Sequence, residues 1–470
     1  MGAFHLRQAA ALAGFLSLFV AHRTVLAEAG AAPVQVAGAS QRRGPMETIE
    51  LANGLRVVLA EDHRAPVVVL SVVYLAGEQH DPADVPGMGA LAMRLLENAS
   101  TRHVGLGQRE SVLKALGVAP WEVNFVHASD YSYAHQVVPR EQLELMLWLE
   151  SDRMGFFLDG VRPKVVESEY AAVVEEALDP ANRDVSRELR ALVFGAGHPY
   201  GPRPRPEVPP PEPRVRAHLQ RYFSPANAFL VLAGDFATVE ARAMVQRYFG
   251  TLASAPRPPQ RAPVPPAPRE SRAPVRLLGG GESPTVVLAW PTAAFLSEDD
   301  VVFDAVARVL ETRLRQRFGE GLESRRAGVQ QRSLQLGSMF TVSATTRQGL
   351  GVEAVQRALE EEVARLRDTD VAEAELQSTR LELLRYTAVQ GDVLPHRAWQ
   401  IVSFVTQGRP ADHLGGYLDS YRGVTAASLR RIAARYLTAE RCLVALLVSA
   451  SDLESGPDLD EGFVARVGRN

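Results

Sequence analysis

The chain alternates between short apolar runs and longer segments in which apolar residues recur at helical spacing. The segments QLELMLWLESDRM (142–154) and VEAVQRALEEEVARLR (352–367) repeat apolar residues at i, i+3 and i+4, which predicts amphipathic helices. The runs APVVVLSVVYLAG (65–77) and SPTVVLAWPT (283–292) are apolar and bounded by turn residues, which predicts buried strands. Helices and strands mix along the whole chain, and we therefore predict an α+β fold.

The two parts of the chain resemble each other. RYFSPANAFLVLAGD (221–235) aligns with RYLTAERCLVALLVS (435–449) at an offset of 214 residues, each being a helix end, a turn and a buried strand. Between them lies the Pro-rich segment 253–274, which we interpret as a semi-rigid linker. We predict two homologous domains in tandem, at 45–252 and 275–452, followed by a tail at 453–470.

The N-terminal residues have the pattern of a targeting segment. His5 and Arg7 precede the apolar run AAALAGFLSLFVA (9–21), which is short for a membrane span. Small residues then offer a cleavage site after Ala27 or Ala29. We predict a signal peptide at 1–29 and a periplasmic or secreted mature protein; the alternative is an uncleaved membrane anchor.

Composition narrows the functional classes. The 470 residues carry a net charge of −4 without a long basic stretch, which argues against a nucleic-acid partner. The single cysteine, Cys442, excludes a disulfide framework and a cysteine-based zinc cluster. It begins the apolar run CLVALLVSA, so we expect it to be buried.

Six segments of the first part occur in an order that is typical of one protein family. They are ETIELANGLRVVLAEDHRAPVVVLSVVYLAGEQHD (47–81), PGMGALAMRLLENAST (86–101), NFVHASDYS (124–132), EYAAVVEEAL (169–178), GHPYG (197–201) and PANAFLVLAGDF (225–236). Together they resemble the pitrilysin/insulinase (M16) family of zinc metallopeptidases, which includes mitochondrial processing peptidase; in the third segment, Asn124, Asp130 and Ser132 match the pattern of a strand in that family. The resemblance implies two M16-like domains of α+β fold.

The zinc motif of the family is missing. Its pattern is His-x-x-Glu-His on one helix, where two imidazoles bind zinc and the carboxylate acts as general base. The corresponding positions here are Ala90, Met93 and Arg94. A guanidinium about 5 Å from Zn²⁺ would repel it by roughly 7 kcal/mol at an effective dielectric near 20. We therefore expect neither zinc nor another cofactor.

The helix that supplies the family's third zinc ligand keeps its carboxylates. Glu169 and Glu176 lie seven residues apart on one face, and Glu176 holds the ligand position that the resemblance implies. Without zinc these groups need another counter-charge, and we hypothesise that Arg94 pairs with Glu176 and with Glu169. The alternative is that both glutamates are solvated charges on a helix surface.

The resemblance also implies substrate-binding positions. In two-chain members, the subunit without the zinc motif holds the substrate backbone with an Arg and a Tyr seven residues apart; here these positions are Arg317 and Ser324. The strand around Asn124–Ser132 is the candidate edge for an extended peptide. The alternative is that Arg317 is an ordinary exposed arginine near the end of a helix, without a role in binding.

We therefore expect a non-catalytic M16-like subunit that binds peptide and pairs with an active zinc-peptidase relative, closing a proteolytic chamber. A homodimer acting as a stand-alone peptide-binding protein is a further alternative. The alternative from the enzyme class is a zinc metalloendopeptidase with relocated ligands. His127 and His135 were weighed for that role; they lie on one face of the predicted strand but too far apart to chelate together.

Overall fold

The structure is a computed structural model that describes residues 43–449 apart from 116, 119–122, 180–182, 205–206, 267–272, 280–282, 319–326 and 347–350. The predicted signal peptide and tail therefore lie outside the described residues. Within the described part of the chain, no helix has the length and apolar character to cross a membrane.

Two sheets organise the fold. The first has the strand order β1-β2-β6-β3-β5-β4, and the second has the order β7-β11-β8-β10-β9. The strands of the first sheet are β1 (Arg43–Glu50), β2 (Arg56–Asp62), β3 (Val67–Tyr74), β4 (Val123–His127), β5 (Ser132–Pro139) and β6 (Ala228–Gly234). Those of the second are β7 (Val275–Leu278), β8 (Thr285–Thr292), β9 (Ala327–Arg332), β10 (Ser338–Thr345) and β11 (Leu443–Val448).

The described helices surround these sheets. Both helices predicted from apolar spacing, at 142–154 and 352–367, are present as α3 and α9. The helices are α1 (Met88–Asn98), α2 (Gln108–Ala115), α3 (Leu143–Phe156), α4 (Pro163–Leu178), α5 (Val185–Phe194), α6 (Glu212–Tyr222), α7 (Thr238–Phe249), α8 (Glu298–Phe318), α9 (Val352–Asp368), α10 (Glu373–Gln390), α11 (Leu394–Thr406), α12 (Leu414–Arg422) and α13 (Ala426–Tyr436).

The internal duplication is visible in the strand pairing. In the first sheet β6 pairs parallel with β2 and antiparallel with β3. In the second, β11 pairs parallel with β7 and antiparallel with β8. Each sheet then ends in a hairpin whose outer strand, β4 or β9, is the edge. The predicted α+β fold with two homologous domains is confirmed; β1 is an additional strand of the first.

The two domains exchange a helix. In each, the third helix after the edge hairpin crosses to the other domain: α11 packs on β3 and β6 of the first sheet, and α5 packs on β8 and β11 of the second. Ile401 and Val402 of α11 lie in one buried cluster with Val58 and Val231. Val193 and Phe194 of α5 are buried with the second sheet. Each domain thus completes the apolar cover of the other.

Two local predictions are wrong. NFVHASDYS was predicted to be one strand, but β4 ends at His127 and β5 begins at Ser132, because the backbone N–H of Ala128 donates to the Tyr131 carbonyl and closes a turn. His127 and His135 therefore lie on different strands. Cys442 is half-buried, since it precedes β11 at the margin of the core.

The Pro-rich segment has no helix or strand between 253 and 266. It follows the surface of both domains: Arg257 donates to the Ala226 carbonyl at 2.7 Å, and Val264 N donates to the Leu336 carbonyl at 3.2 Å. The domain boundaries given above stay predictions, since the exchanged helices do not follow the division of the sequence.

Candidate functional site

Helix α1 begins after a turn that its sequence favours. Gly87 precedes the helix with φ at 78°, a left-handed conformation that glycine adopts without strain. The hydroxyl of Tyr170, on α4, donates to the Pro86 carbonyl at 3.0 Å and joins this turn to α4. Leu91 and Leu95 are buried on the core side of α1. The helix is thus held against α4 along its length.

Arg94 lies between the two glutamates of α4. Its Nη1 donates to Glu176 Oε1 at 2.6 Å, and its Nε donates to Glu169 Oε2 at 2.9 Å. Asn98, one turn further along α1, donates to the same Glu169 oxygen at 3.0 Å. The side chains of Arg94, Glu169 and Glu176 are 12%, 17% and 21% exposed, so the pairs are largely shielded from solvent. The ion pairs hypothesised from the sequence are present.

The residues at this position do not fit a zinc ion. Ala90 has no lone pair to donate, and Met93 is buried in the core with 5% of its surface exposed. The guanidinium of Arg94 already lies within hydrogen-bonding distance of the Glu176 carboxylate. Among the residues that the structure describes, no three His, Cys, Asp or Glu side chains gather in a way that could hold a metal ion.

The edge strand β4 lies beside this site. Helix α1 packs against β4, and β4 pairs only with β5 in the described sheet. Asn124 stands opposite His135 in the β4–β5 register, while its side chain lies outside the described residues. The outer edge of β4 therefore has the position that addition of an extended peptide requires.

A buried charge network that sequence reasoning missed supports this edge. Glu150 on α3 is fully buried and accepts hydrogen bonds from Arg109, Arg153 and the amide of Gln136. Burial, and then the charge of Arg109, lower the pKa of Arg153 to about 9. The Arg153 guanidinium lies 4.9 Å from the centre of the Phe125 ring of β4. One signal was available: Glu150 occupies a position on the apolar face of the predicted helix.

Comparison with known protein families agrees with the M16 resemblance found in the sequence. Residues 213–383 match the family model of the peptidase M16 inactive domain. This segment of the chain is thus similar to the inactive domain of the M16 peptidases. No curated protein matches its sequence significantly.

Solved M16-related structures have the same fold. A protease from Helicobacter pylori superposes with a TM-score of 0.73 at 19% identity, covering 86% of this chain and 99% of that one. A peptidase M16 inactive domain from Pseudomonas fluorescens gives 0.71 at 17%, covering 87% and 98%. The first half of the periplasmic protease PqqL from Escherichia coli gives 0.70 at 14%, covering 90% and 96%. The chain spans about half of the complete PqqL structure, 49%.

Of the two substrate-binding positions that the M16 resemblance implies, Arg317 and Ser324, the structure describes only one. Arg317 lies in the last turn of α8, and its guanidinium donates to Glu361 at 2.5 Å and to Glu362 at 3.1 Å on α9. Ser324 lies outside the described residues. Arg317 is thus held by two carboxylates of its own domain, which is what an ordinary structural arginine would do, and its role in substrate binding stays a prediction.

A serine, a histidine and an aspartate meet beneath the edge of this M16 fold, but they are not a catalytic triad. The Nδ1 atom of His127 lies 2.7 Å from Ser132 Oγ, and its Nε2 lies 3.7 Å from Asp81 Oδ1. Ser132 is fully buried and its hydroxyl donates to the Ala76 carbonyl. A substrate cannot reach that hydroxyl. His135 is likewise buried, with its Nδ1 2.9 Å from the Ser71 hydroxyl.

Proposed function

We propose that the chain is a non-catalytic M16 subunit that binds extended peptides and pairs with a catalytically active M16 relative. The observation that carries the proposal is the double ion pair of Arg94 with Glu169 and Glu176. A permanent cation takes the place between α1 and α4 where the family resemblance puts zinc. Arginine neither binds a metal nor accepts a proton from water at neutral pH.

The preserved fold supports retention of a binding role. The two sheets, both edge hairpins and the exchange of α5 and α11 are intact, although three of the four positions of the zinc site are replaced. A chain that had only lost catalysis would keep the edge of β4 as a surface for an extended peptide. Main-chain hydrogen bonds would hold the peptide, and neighbouring side chains would select it.

The proposal includes a partner and a location. Two relatives in the comparisons are described as proteases, and the chain spans half of the complete PqqL, so a second M16 unit is the partner that completes a molecule of that size. PqqL is described as periplasmic. Together with the apolar N-terminal run, this supports export of the present chain to the periplasm or the exterior.

The test uses the purified mature chain in three assays. Metal content is measured by mass spectrometry after dialysis, peptide cleavage is measured with and without added Zn²⁺, and both are repeated after mixing with an M16 peptidase from the same cell. We expect no stoichiometric zinc and no cleavage by the chain alone, with a gain in cleavage on mixing. Sedimentation analysis of the mixture should show a one-to-one complex.

Two outcomes would contradict the proposal. Stoichiometric zinc with cleavage by the isolated chain would mean a zinc metalloendopeptidase with ligands other than those of the family motif. Saturable peptide binding by a homodimer that ignores the active relative would assign the chain a stand-alone binding role. An Arg94→Met variant serves as control, because removing the cation alone restores no ligand and should restore no activity.

A further inference from the structure

A concave site is lined by none of the three residues of the Arg94 ion pairs. It is a cleft of about 560 Å³ formed by the segment after β3, the loop that follows α5, the end of α6 and the Pro-rich segment. That volume lies within the range of small-molecule sites. We call it the arginine cleft and define it by its polar lining, which includes His80, Asp81, Arg203, His218, Arg221 and Arg261.

Positive charge dominates the arginine cleft. Three guanidinium groups face one carboxylate, so the lining has a net charge of about +2 with neutral histidines. Arg203 is held by carbonyls rather than by an acid: its Nη1 donates to the Asp81 carbonyl and its Nη2 to the Pro199 carbonyl, each at 2.9 Å. Its hydrogen bonds are therefore made to neutral groups, while the carboxylates of Asp81 and Glu78 attract its charge without accepting a hydrogen bond from it.

The other two arginines have no acidic partner within the described residues. The guanidinium of Arg221 lies 5.4 Å from the centre of the Tyr222 ring, and Arg261 extends from the Pro-rich segment. The Asp81 carboxylate is buried, and its Oδ1 lies 3.7 Å from His127 beneath the edge strand. Two of the three guanidinium groups are thus available to an anion.

His80 adds a neutral donor. The backbone N–H of Gly77 donates to His80 Nδ1 at 3.1 Å, so the ring proton of the neutral imidazole is on Nε2. Burial, and then the charge of Arg261, lower the pKa of His80 to about 4. Burial also lowers the pKa of His218 to about 4. At neutral pH these side chains can donate a hydrogen bond without adding charge.

We propose that the arginine cleft binds the phosphate group of a small ligand. Guanidinium groups match phosphate oxygens in planar, paired hydrogen bonds, and a phosphate dianion balances the net charge of the lining. Four prolines and the Tyr222 ring form the apolar wall, leaving room for the organic part of a phosphate ester. The site uses none of the residues of the proposed peptide-binding role and does not depend on it.

The test is calorimetric titration of the full chain in a phosphate-free buffer with inorganic phosphate and with phenyl phosphate. We expect one saturable site, and binding at least about tenfold weaker in each of Arg221→Gln and Arg261→Gln, because each removes a charge-assisted hydrogen bond. Tighter binding of phenyl phosphate would identify a phosphate ester as the ligand class, and equal binding would identify free phosphate. Either result supports the proposal.

The control is Arg247→Gln, which makes the same charge change on the exposed surface of α7. If Arg247→Gln weakens anion binding as much as the cleft variants do, the effect comes from the net charge of the protein and not from the cleft. That result would overturn the proposal. Absence of saturable binding of both anions would overturn it as well. So would an acidic peptide that binds in the cleft and is not displaced by phosphate, since the ligand class would then be a carboxylate.

Discussion

Arg94 Nη1 lies 2.6 Å from Glu176 Oε1 and joins helix α1 to helix α4. The same guanidinium reaches Glu169 at 2.9 Å, so one cation serves two carboxylates. One side chain is thus shared by acceptors on two turns of α4. The Arg94 guanidinium gives both largely buried carboxylates a counter-charge.

Removal of this cation should destabilise the fold. In Arg94→Met both glutamates lose their ion pair with the guanidinium in a site where their side chains are about one-fifth exposed or less. We expect a loss of about 2 kcal/mol in the free energy of unfolding, between the values typical of exposed and of buried pairs. Urea denaturation measures this.

The matched control is Arg102→Met, whose pair with Asp159 is about half exposed on both sides and should contribute less than about 1 kcal/mol. Adding Glu169→Gln and Glu176→Gln to Arg94→Met should recover part of the loss. If Arg94→Met is as stable as the unaltered chain, the ion pairs have no structural role.

Two substitutions should create a zinc site. In Ala90→His/Arg94→His, imidazoles at i and i+4 would face Glu176, which completes a three-ligand set of the kind that zinc takes. We expect about one zinc per chain by mass spectrometry. Peptide cleavage should stay absent, because Met93 cannot act as a general base.

Adding Glu176→Gln to this double variant is the control, and the zinc affinity should then fall at least about tenfold. A correctly folded double variant that takes up no zinc would show that α1 and α4 no longer have the spacing of a metal site.

The two halves should stay together when the connection between them is cut. The exchanged helices α5 and α11 bury apolar side chains in the opposite domain, and Asp130 accepts a hydrogen bond from the Gln335 backbone at 2.9 Å across the boundary. A protease site inserted within 253–266 should yield two fragments that co-elute in gel filtration and separate only in denaturant.

In the cut protein, Ile401→Asp should release the fragments, since it places a charge in the contact between α11 and the first sheet. Val389→Asp, on the exposed surface of α10, should not. Fragments that separate without denaturant would mean that the linker, not the helix exchange, joins the domains.

The stability of the second domain should depend on pH through Asp300. Burial, and then the neighbouring Asp304, raise the pKa of Asp300 to about 7, although Ser333, Gln331 and the Leu296 N–H donate hydrogen bonds to it. The unfolded chain releases this proton near its ordinary value of 3.8, whereas the folded chain keeps it. Folding therefore binds a proton, and the contribution of Asp300 to stability decreases as pH rises from about 4 to about 7.

Thermal unfolding followed across that range measures the decrease, and Asp300→Asn should make the profile flatter because the amide does not titrate. The control is Asp419→Asn, an exposed position on α12 that should leave the slope unchanged. An identical slope in Asp300→Asn would show that Asp300 is already ionised in the folded chain.

The spacing of residues along the sequence was sufficient to predict the two helices that form the Arg94 site. The i, i+3, i+4 pattern of 86–101 and the separation of Glu169 and Glu176 by two helical turns place each group on a known face of α1 or α4. The resemblance of six segments in order then brings these faces together. For that reason the contact of Arg94 with both glutamates could be predicted before the tertiary structure was known.

Other features follow from contacts that no local pattern contains. The run 124–132 matches the pattern of one strand in the M16 family, and only the pairing of β4 with β5 shows that it is a hairpin. Glu150 is an isolated carboxylate on an apolar face in the sequence, with Arg153 three residues further along the same helix. Only the tertiary structure brings Arg109 of α2 and Gln136 of β5 to it. Local periodicity reports which face of a segment is apolar, and it does not report what covers that face.

The sequence by itself determined the fold class, the duplication and the residue types at positions 90, 93 and 94, because these depend on residue type, spacing and order. The tertiary structure alone decided that α5 and α11 change domains and that arginines from α6, from the loop after α5 and from the Pro-rich segment meet in one cleft. These residues are tens of positions apart. Their proximity results from the packing of the whole chain, where burial of apolar area selects one arrangement among many that satisfy the same local patterns.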